Sequence, residues 1–113
     1  NAAGAFTLPF VQCIINNQWA ISVPRKAQTG ARTLAQKGIA GGLECLQVDG
    51  NDIIAVVGAM EFALKRARNG HGGSVLEFVT YRLADHTTAD DARSLKPLRP
   101  KSRTSLAVVK VRP

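Results

Sequence analysis

Apolar and polar positions divide the 113-residue chain into three short apolar runs and one longer periodic stretch. Phe10 to Ile15, broken only by Gln12, has strand length, and Pro9 fixes its entry. Leu43 to Val48 alternates loosely and reads as a second strand, closed by Asp49-Gly50-Asn51. Val75 to Leu83 (V-L-E-F-V-T-Y-R-L) is a third, rich in β-forming residues and turning polar at its carboxyl end. Between the second and third, Ile53, Val56, Val57, Met60, Leu64 and Ala67 recur at helical spacing, which predicts a helix packing on the core through that stripe. Asn51 or Asp52 caps it, Lys65, Arg66 and Arg68 suit the negative end of its dipole, and Asn69-Gly70 ends it. Between the first and second strands, Thr33 stands as N-cap ahead of a shorter helix, Leu34 to Ala40, stopped by Gly41-Gly42. Gly38 costs that helix about 1 kcal/mol relative to alanine. Asn1 to Leu8 reads as the last turn of a further helix.

Strand, helix, strand, helix, strand at these spacings implies right-handed crossovers and a parallel sheet, a three-layer α/β arrangement. In such a sheet the carboxyl ends of the strands share one edge, where ligands bind. The loop after Ile15 and the stretch Arg82 to His86 are therefore expected on the same side. Length allows one small domain or a piece of a larger one, and 45% hydrophobic residues suffice for a core. No apolar run approaches the roughly 20 residues a membrane span needs, and no leader-like segment opens the chain, so a cytoplasmic location is expected. Cys13 and Cys45 lie in apolar runs without metal-ligand spacing and read as small hydrophobes. His71, among glycines, reads as a solvated loop residue, and Met60 as core filler.

Charge changes the picture in one place. The chain carries a net +7, yet residues 1–91 hold eight basic and eight acidic side chains. The excess is Arg93, Lys96, Arg99, Lys101, Arg103, Lys110 and Arg112, with no acid among them. A neutral α/β body thus carries a basic tail.

The candidate chemistry sits where the first strand ends. Val11 to Pro24 reads V-Q-C-I-I-N-N-Q-W-A-I-S-V-P, with Asn16 and Asn17 at the strand's carboxyl end. Two asparagines there can be no more than a turn, because Asn tolerates left-handed backbone and bonds its own main chain. The longer pattern, an N-N pair, an aromatic two residues on and then A-I-S-x-P, resembles the alpha chain of the thiamine-diphosphate-dependent 2-oxo acid dehydrogenases, the decarboxylating first component of the pyruvate and branched-chain complexes. The resemblance implies a thiamine-diphosphate-binding fold, with Asn17 giving its side-chain carbonyl and Trp19 its backbone carbonyl to a Mg²⁺ ion that anchors the diphosphate. Oxygen ligands suit Mg²⁺, and an amide oxygen repels a diphosphate less than a second carboxylate does.

A second block, Thr80 to Asp91 (T-Y-R-L-A-D-H-T-T-A-D-D), resembles the family's T-Y-R strand end followed by a loop of the form H-[ST]-x-[ST]-D-D. The resemblance implies that His86 faces the diphosphate and the reacting centre as the catalytic residue, that Arg82 joins the cofactor site, and that Arg82 and Asp90 order the loop. Thr87 stands where some members carry a phosphorylated serine. An imidazole exchanges protons near neutral pH and can donate to an anion; a loop histidine held by Asp85 or Asp90, with Thr87-x-x-Asp90 as a capping box, is the plainer reading.

Three features depart from the family pattern. No G-D-G motif, whose aspartate is the family's other protein ligand to magnesium, stands upstream of Asn17. Ile15 occupies a place that is polar in the family, and the sequence after Asp91 leaves the family's D-P-T-R-Y-R continuation. The resemblance therefore divides the chain into 1–91, a partial dehydrogenase domain (β-α-β-α-β), and 92–113, an irregular basic tail expected to be disordered or outside the family. Leu106 to Val111 could add an edge strand. The function implied is that of a fragment of the alpha subunit, oxidatively decarboxylating pyruvate or a branched-chain 2-oxo acid and passing the acyl group to lipoamide. Its partners are then a beta subunit and the lipoyl-bearing acyltransferase, and the fragment alone is expected to show no turnover. The competing reading is a small non-catalytic basic protein binding nucleic acid or an acidic partner through its tail.

Overall fold

The computed structural model describes residues 1–81 and 108–112. A four-stranded sheet forms the centre, in the order β1 (Val11–Asn16), β5 (Ser74–Val79), β4 (Glu44–Asp49), β6 (Val108–Lys110). β1, β5 and β4 are parallel, as the spacing predicts; β6 adds an antiparallel edge. A short edge strand therefore stands in the otherwise irregular-reading tail, within the stretch Leu106 to Val111 that could add one. Its β-branched Val108 and Val109 pair with Val48 and Gln47, and Lys110 reaches Glu44 at 2.9 Å. The fold is α/β with a mixed, mostly parallel sheet.

The sheet's two faces carry separate clusters. One holds Leu46, Val48, Leu76 and Phe78 beneath α3 (Ile53–Arg68), with Val11 at its margin. The other holds Cys45 and Val75 beneath a 3₁₀ helix, Ala35–Gly41, with Ile14 and Val111 at its margin. Where an α-helix is expected over Leu34 to Ala40, the chain takes this tighter form. Its N-cap is Leu34, one residue beyond the predicted Thr33, which still bonds the first turn reciprocally: Gln36 N donates to Thr33 Oγ1 (3.2 Å) and Thr33 N to Gln36 Oε1 (3.0 Å). Gly42 closes it in a left-handed conformation. Gly38 has a reason to be glycine, since a Cβ there would lie 2.7 Å from Val75 Cγ2 and 2.8 Å from Cys45 Sγ. The helix approaches the sheet closely only because that atom is missing.

α3 is capped by Asp52, whose Oδ1 accepts from Ile54 N (3.0 Å) and Ala55 N (3.3 Å). Its packing face overlaps the predicted stripe only in part, at the buried Ala67 and at Val56 and Met60 beside the core. Ala55, Ala59, Ala63 and Ala67 are the buried residues, whereas Ile53 is 72% exposed and Val57 also faces outward. Apolar side chains cover well over half the helix circumference, so periodicity admits more than one face. The alanine face brings the helix backbone nearest to Leu76 and Phe78, with Val56 and Met60 at its margin.

Asn1 to Leu8 contains one helical turn, α1 (Ala2–Ala5). The segment after Asn16, read as a plain loop, folds into a two-residue-strand hairpin, β2 (Trp19–Ala20) against β3 (Val23–Pro24), and a single turn, α2 (Arg25–Gln28). No helix among the described residues is long and apolar enough to cross a membrane.

Candidate functional site

Parallel pairing places the carboxyl ends of β1, β4 and β5 at one edge, where Asn16 stands in register with Val79. Thr80 N donates to Asn16 O at 2.9 Å, so the chain leaving β5 runs directly beside the asparagine pair. Arg82, His86, Thr87 and Asp90, which follow it, lie outside the described residues.

Both asparagines bond their own backbone. Asn16 Oδ1 accepts from Gln18 N, and Asn17 Oδ1 from Trp19 N, each at 3.0 Å. The turn chemistry open from sequence alone is thus present, and it leaves one lone pair of the Asn17 oxygen uncommitted. Gln18 adopts φ 71, and its carbonyl accepts from Arg25 N at 2.8 Å. That bond makes Trp19 and Pro24 a non-hydrogen-bonded pair of the hairpin, so the Trp19 carbonyl points out of the ribbon. Two neutral, hard oxygen donors separated by one residue therefore stand at the strand end. This donor set fits Mg²⁺. Among the described residues no three His, Cys, Asp or Glu side chains gather as a metal cluster.

A cavity of about 200 Å³ opens against the loop, lined by Asn16, Asn17, Trp19, Arg25 and Lys37 among others. Arg25 is half-buried; its Nη1 donates to Ala31 O at 2.8 Å, while its Nε is buried with no partner among the described residues. The cavity therefore joins oxygen donors to two cationic side chains. Ile15 lies on the sheet face toward α3 and is 66% exposed, contributing nothing polar.

Sequence reasoning missed Glu77. It stands in the middle of β5 with no exposure, yet accepts from Asn16 Nδ2 at 2.5 Å, Leu34 N at 2.7 Å and Ala35 N at 3.0 Å. The available signal was a single acid inside an otherwise apolar parallel strand, V-L-E-F-V, where a charge is tolerated only with partners. Cys45 is buried as expected, and burial chiefly pushes its thiol up, with Glu44 adding to the rise and a Gly38 backbone hydrogen bond opposing it. Cys13, by contrast, is exposed, 3.8 Å from Met60 Sδ. His71 is exposed in its loop.

In open α/β sheets of this kind, ligands bind outside the carboxyl ends of the parallel strands. The model of the family described as "Dehydrogenase E1 component" matches residues 1–104. The chain is 48% identical over 95 residues to the pyruvate dehydrogenase E1 component subunit alpha of Acholeplasma laidlawii, covering 84% of this chain and 28% of that one. It is 50% identical over 91 residues to the 3-methyl-2-oxobutanoate dehydrogenase subunit alpha of Mycobacterium tuberculosis (80% and 25%). It is 42% identical over 96 residues to the 2-oxoisovalerate dehydrogenase subunit alpha of Pseudomonas aeruginosa (84% and 23%). The chain belongs to the dehydrogenase E1 component family, and spans about a quarter of the length of these relatives.

Proposed function

We propose that this chain is part of the alpha subunit of a thiamine-diphosphate-dependent 2-oxo acid dehydrogenase, and that residues 1–91 form part of its cofactor-binding domain. The reaction is oxidative decarboxylation of pyruvate or a branched-chain 2-oxo acid, with the acyl group passed to a lipoyl-bearing acyltransferase and a beta subunit completing the enzyme. The observation that carries this reading is the Asn16-Asn17-Gln18-Trp19 loop at the carboxyl end of a parallel strand, beside a cavity bearing Arg25 and Lys37. Thiamine diphosphate, when bound, supplies the carbanion chemistry; the protein's part is to hold and orient it. Asn17 Oδ1 and the Trp19 carbonyl hold the Mg²⁺ that neutralises the diphosphate, and the positive cavity wall favours the same anion. Arg82 and His86 follow β5 in sequence, outside the described residues; the roles proposed for them are to bind the cofactor and, for His86, to move a proton at its ring nitrogen.

The test is made in an alpha subunit carrying this segment, assembled with its beta subunit. Asn17→Ala is expected to raise the Mg²⁺ concentration for half-maximal 2-oxo acid decarboxylation by at least about 10-fold. An unchanged Mg²⁺ requirement sinks the ligand assignment.

A further inference from the structure

Glu77 is fully buried in a strand flanked on both sides by others. Burying a carboxylate is costly unless protein donors replace its water. Three N–H groups do so: Leu34 and Ala35 N bond one oxygen, and Asn16 Nδ2 the other. One carboxylate thereby ties both ends of the segment 16–35 to the same point on β5.

Capping the 3₁₀ helix occupies only the first oxygen. The second fixes the orientation of the Asn16 amide: with Nδ2 committed to Glu77, Oδ1 faces Gln18 N, which it accepts at 3.0 Å. That bond and the one from Arg25 N hold Gln18 at φ 71, a left-handed conformation that a residue with a side chain keeps only where its surroundings enforce it. Gln18 lies between Asn17 and Trp19. Its backbone therefore sets where the Asn17 side chain and the Trp19 carbonyl point.

We infer that Glu77 is a positioning residue for the Asn17–Trp19 oxygen pair, acting through Asn16 and Gln18 without touching metal or cofactor. The inference rests on the reading of that pair as metal ligands. Glu77→Gln keeps the side chain's size but sets an NH₂ group against N–H donors, whichever way the amide turns.

In the assembled enzyme, Glu77→Gln is expected to raise the Mg²⁺ requirement, read here as the Mg²⁺ concentration that half-saturates thiamine diphosphate binding by isothermal titration calorimetry, about 10- to 100-fold, the range for partners that orient metal ligands. Turnover at saturating Mg²⁺ and cofactor stays within about twofold of the parent, the pattern of lost binding rather than lost chemistry. Adding Asn16→Asp supplies an acceptor for the amide introduced at position 77 and returns the Mg²⁺ requirement to within about threefold of the parent, a coupling that a double-mutant cycle reads directly. An unchanged requirement in Glu77→Gln overturns the inference, and so does a raised one that Asn16→Asp leaves unrepaired, which marks a role in core stability alone. Should Glu77→Gln fail to assemble, Asn16→Ala decides, since it leaves the carboxylate on Leu34 and Ala35: a raised Mg²⁺ requirement is expected, and the parental value overturns the inference. Asn17→Ala separates the two layers. Its silence sinks the ligand reading itself, whereas its effect beside a silent Glu77→Gln sinks only the positioning role.

Discussion

Cys45 and Cys13 stand on strands either side of β5 and meet opposite conditions, one buried and one exposed. Their reactivities should separate accordingly, because the thiolate is the reacting form and access limits it. In the native chain, iodoacetamide labelling followed by mass spectrometry is expected to modify Cys13 alone, with Cys45 reacting only on unfolding. Equal labelling would contradict the packing of Cys45 beneath the 3₁₀ helix. The raised Cys45 thiol also fixes the sign of a pH effect. Below the ordinary value of 9.0 both folded and unfolded chains keep the proton, and stability is unaffected. Above it the unfolded chain ionises first, so stability falls as pH rises toward the folded value. Urea midpoints of the parent and Cys45→Ala should therefore converge with rising pH in that window. At this scale the sequence showed the asparagine pair but not Glu77, because its three donors come from residues at least 42 positions away. Nothing local distinguishes such an acid from one at a strand's exposed face.

At the scale of elements, α3 shows what periodicity can and cannot specify. Its limits and cap were legible from Asp52, the basic last turn and Asn69-Gly70, and its type was never in doubt. Its orientation was not, because bulky apolar residues flank the alanines and the pattern weights size over fit. The alanine face makes a testable claim. Ala63→Leu overfills the contact with the sheet and is expected to cost about 1–3 kcal/mol, whereas Ile54→Gln, at a position 81% exposed, changes stability by less than about 0.5 kcal/mol. Urea denaturation of both variants checks the order, and a reversed order contradicts the alanine face. The segment 16–29 escaped sequence reading for a different reason: two-residue strands and one-turn helices are too short to leave a period. Its hairpin depends on the positive φ of Gln18 and Ile21, which the sequence does not mark with glycine.

Across the whole molecule, the parallel α/β class followed from the spacing of elements, while the strand order β1-β5-β4 did not, since the same alternation suits several orders. The mixed character comes from β6, far along the chain and antiparallel. Its Lys110–Glu44 ion pair is mostly solvent-facing on the lysine side and contributes little, so the backbone ladder is what holds the strand. Val109→Pro removes a ladder position opposite Gln47 and is expected to speed hydrogen exchange at alternate β4 amides, those facing β6, while the amides bonded to β5 keep their protection. Uniform loss along β4 would show that β6 supports the sheet globally.

Trp19 is the chain's single tryptophan, and it is half-buried in the loop beside Asn17. Its fluorescence therefore reports on the loop alone, while backbone circular dichroism reports on the sheet and helices. Any change that loosens the loop without unfolding the sheet will shift the emission and leave the dichroism still. The protein carries an optical gauge of its own binding edge, readable without labels and separable from global stability.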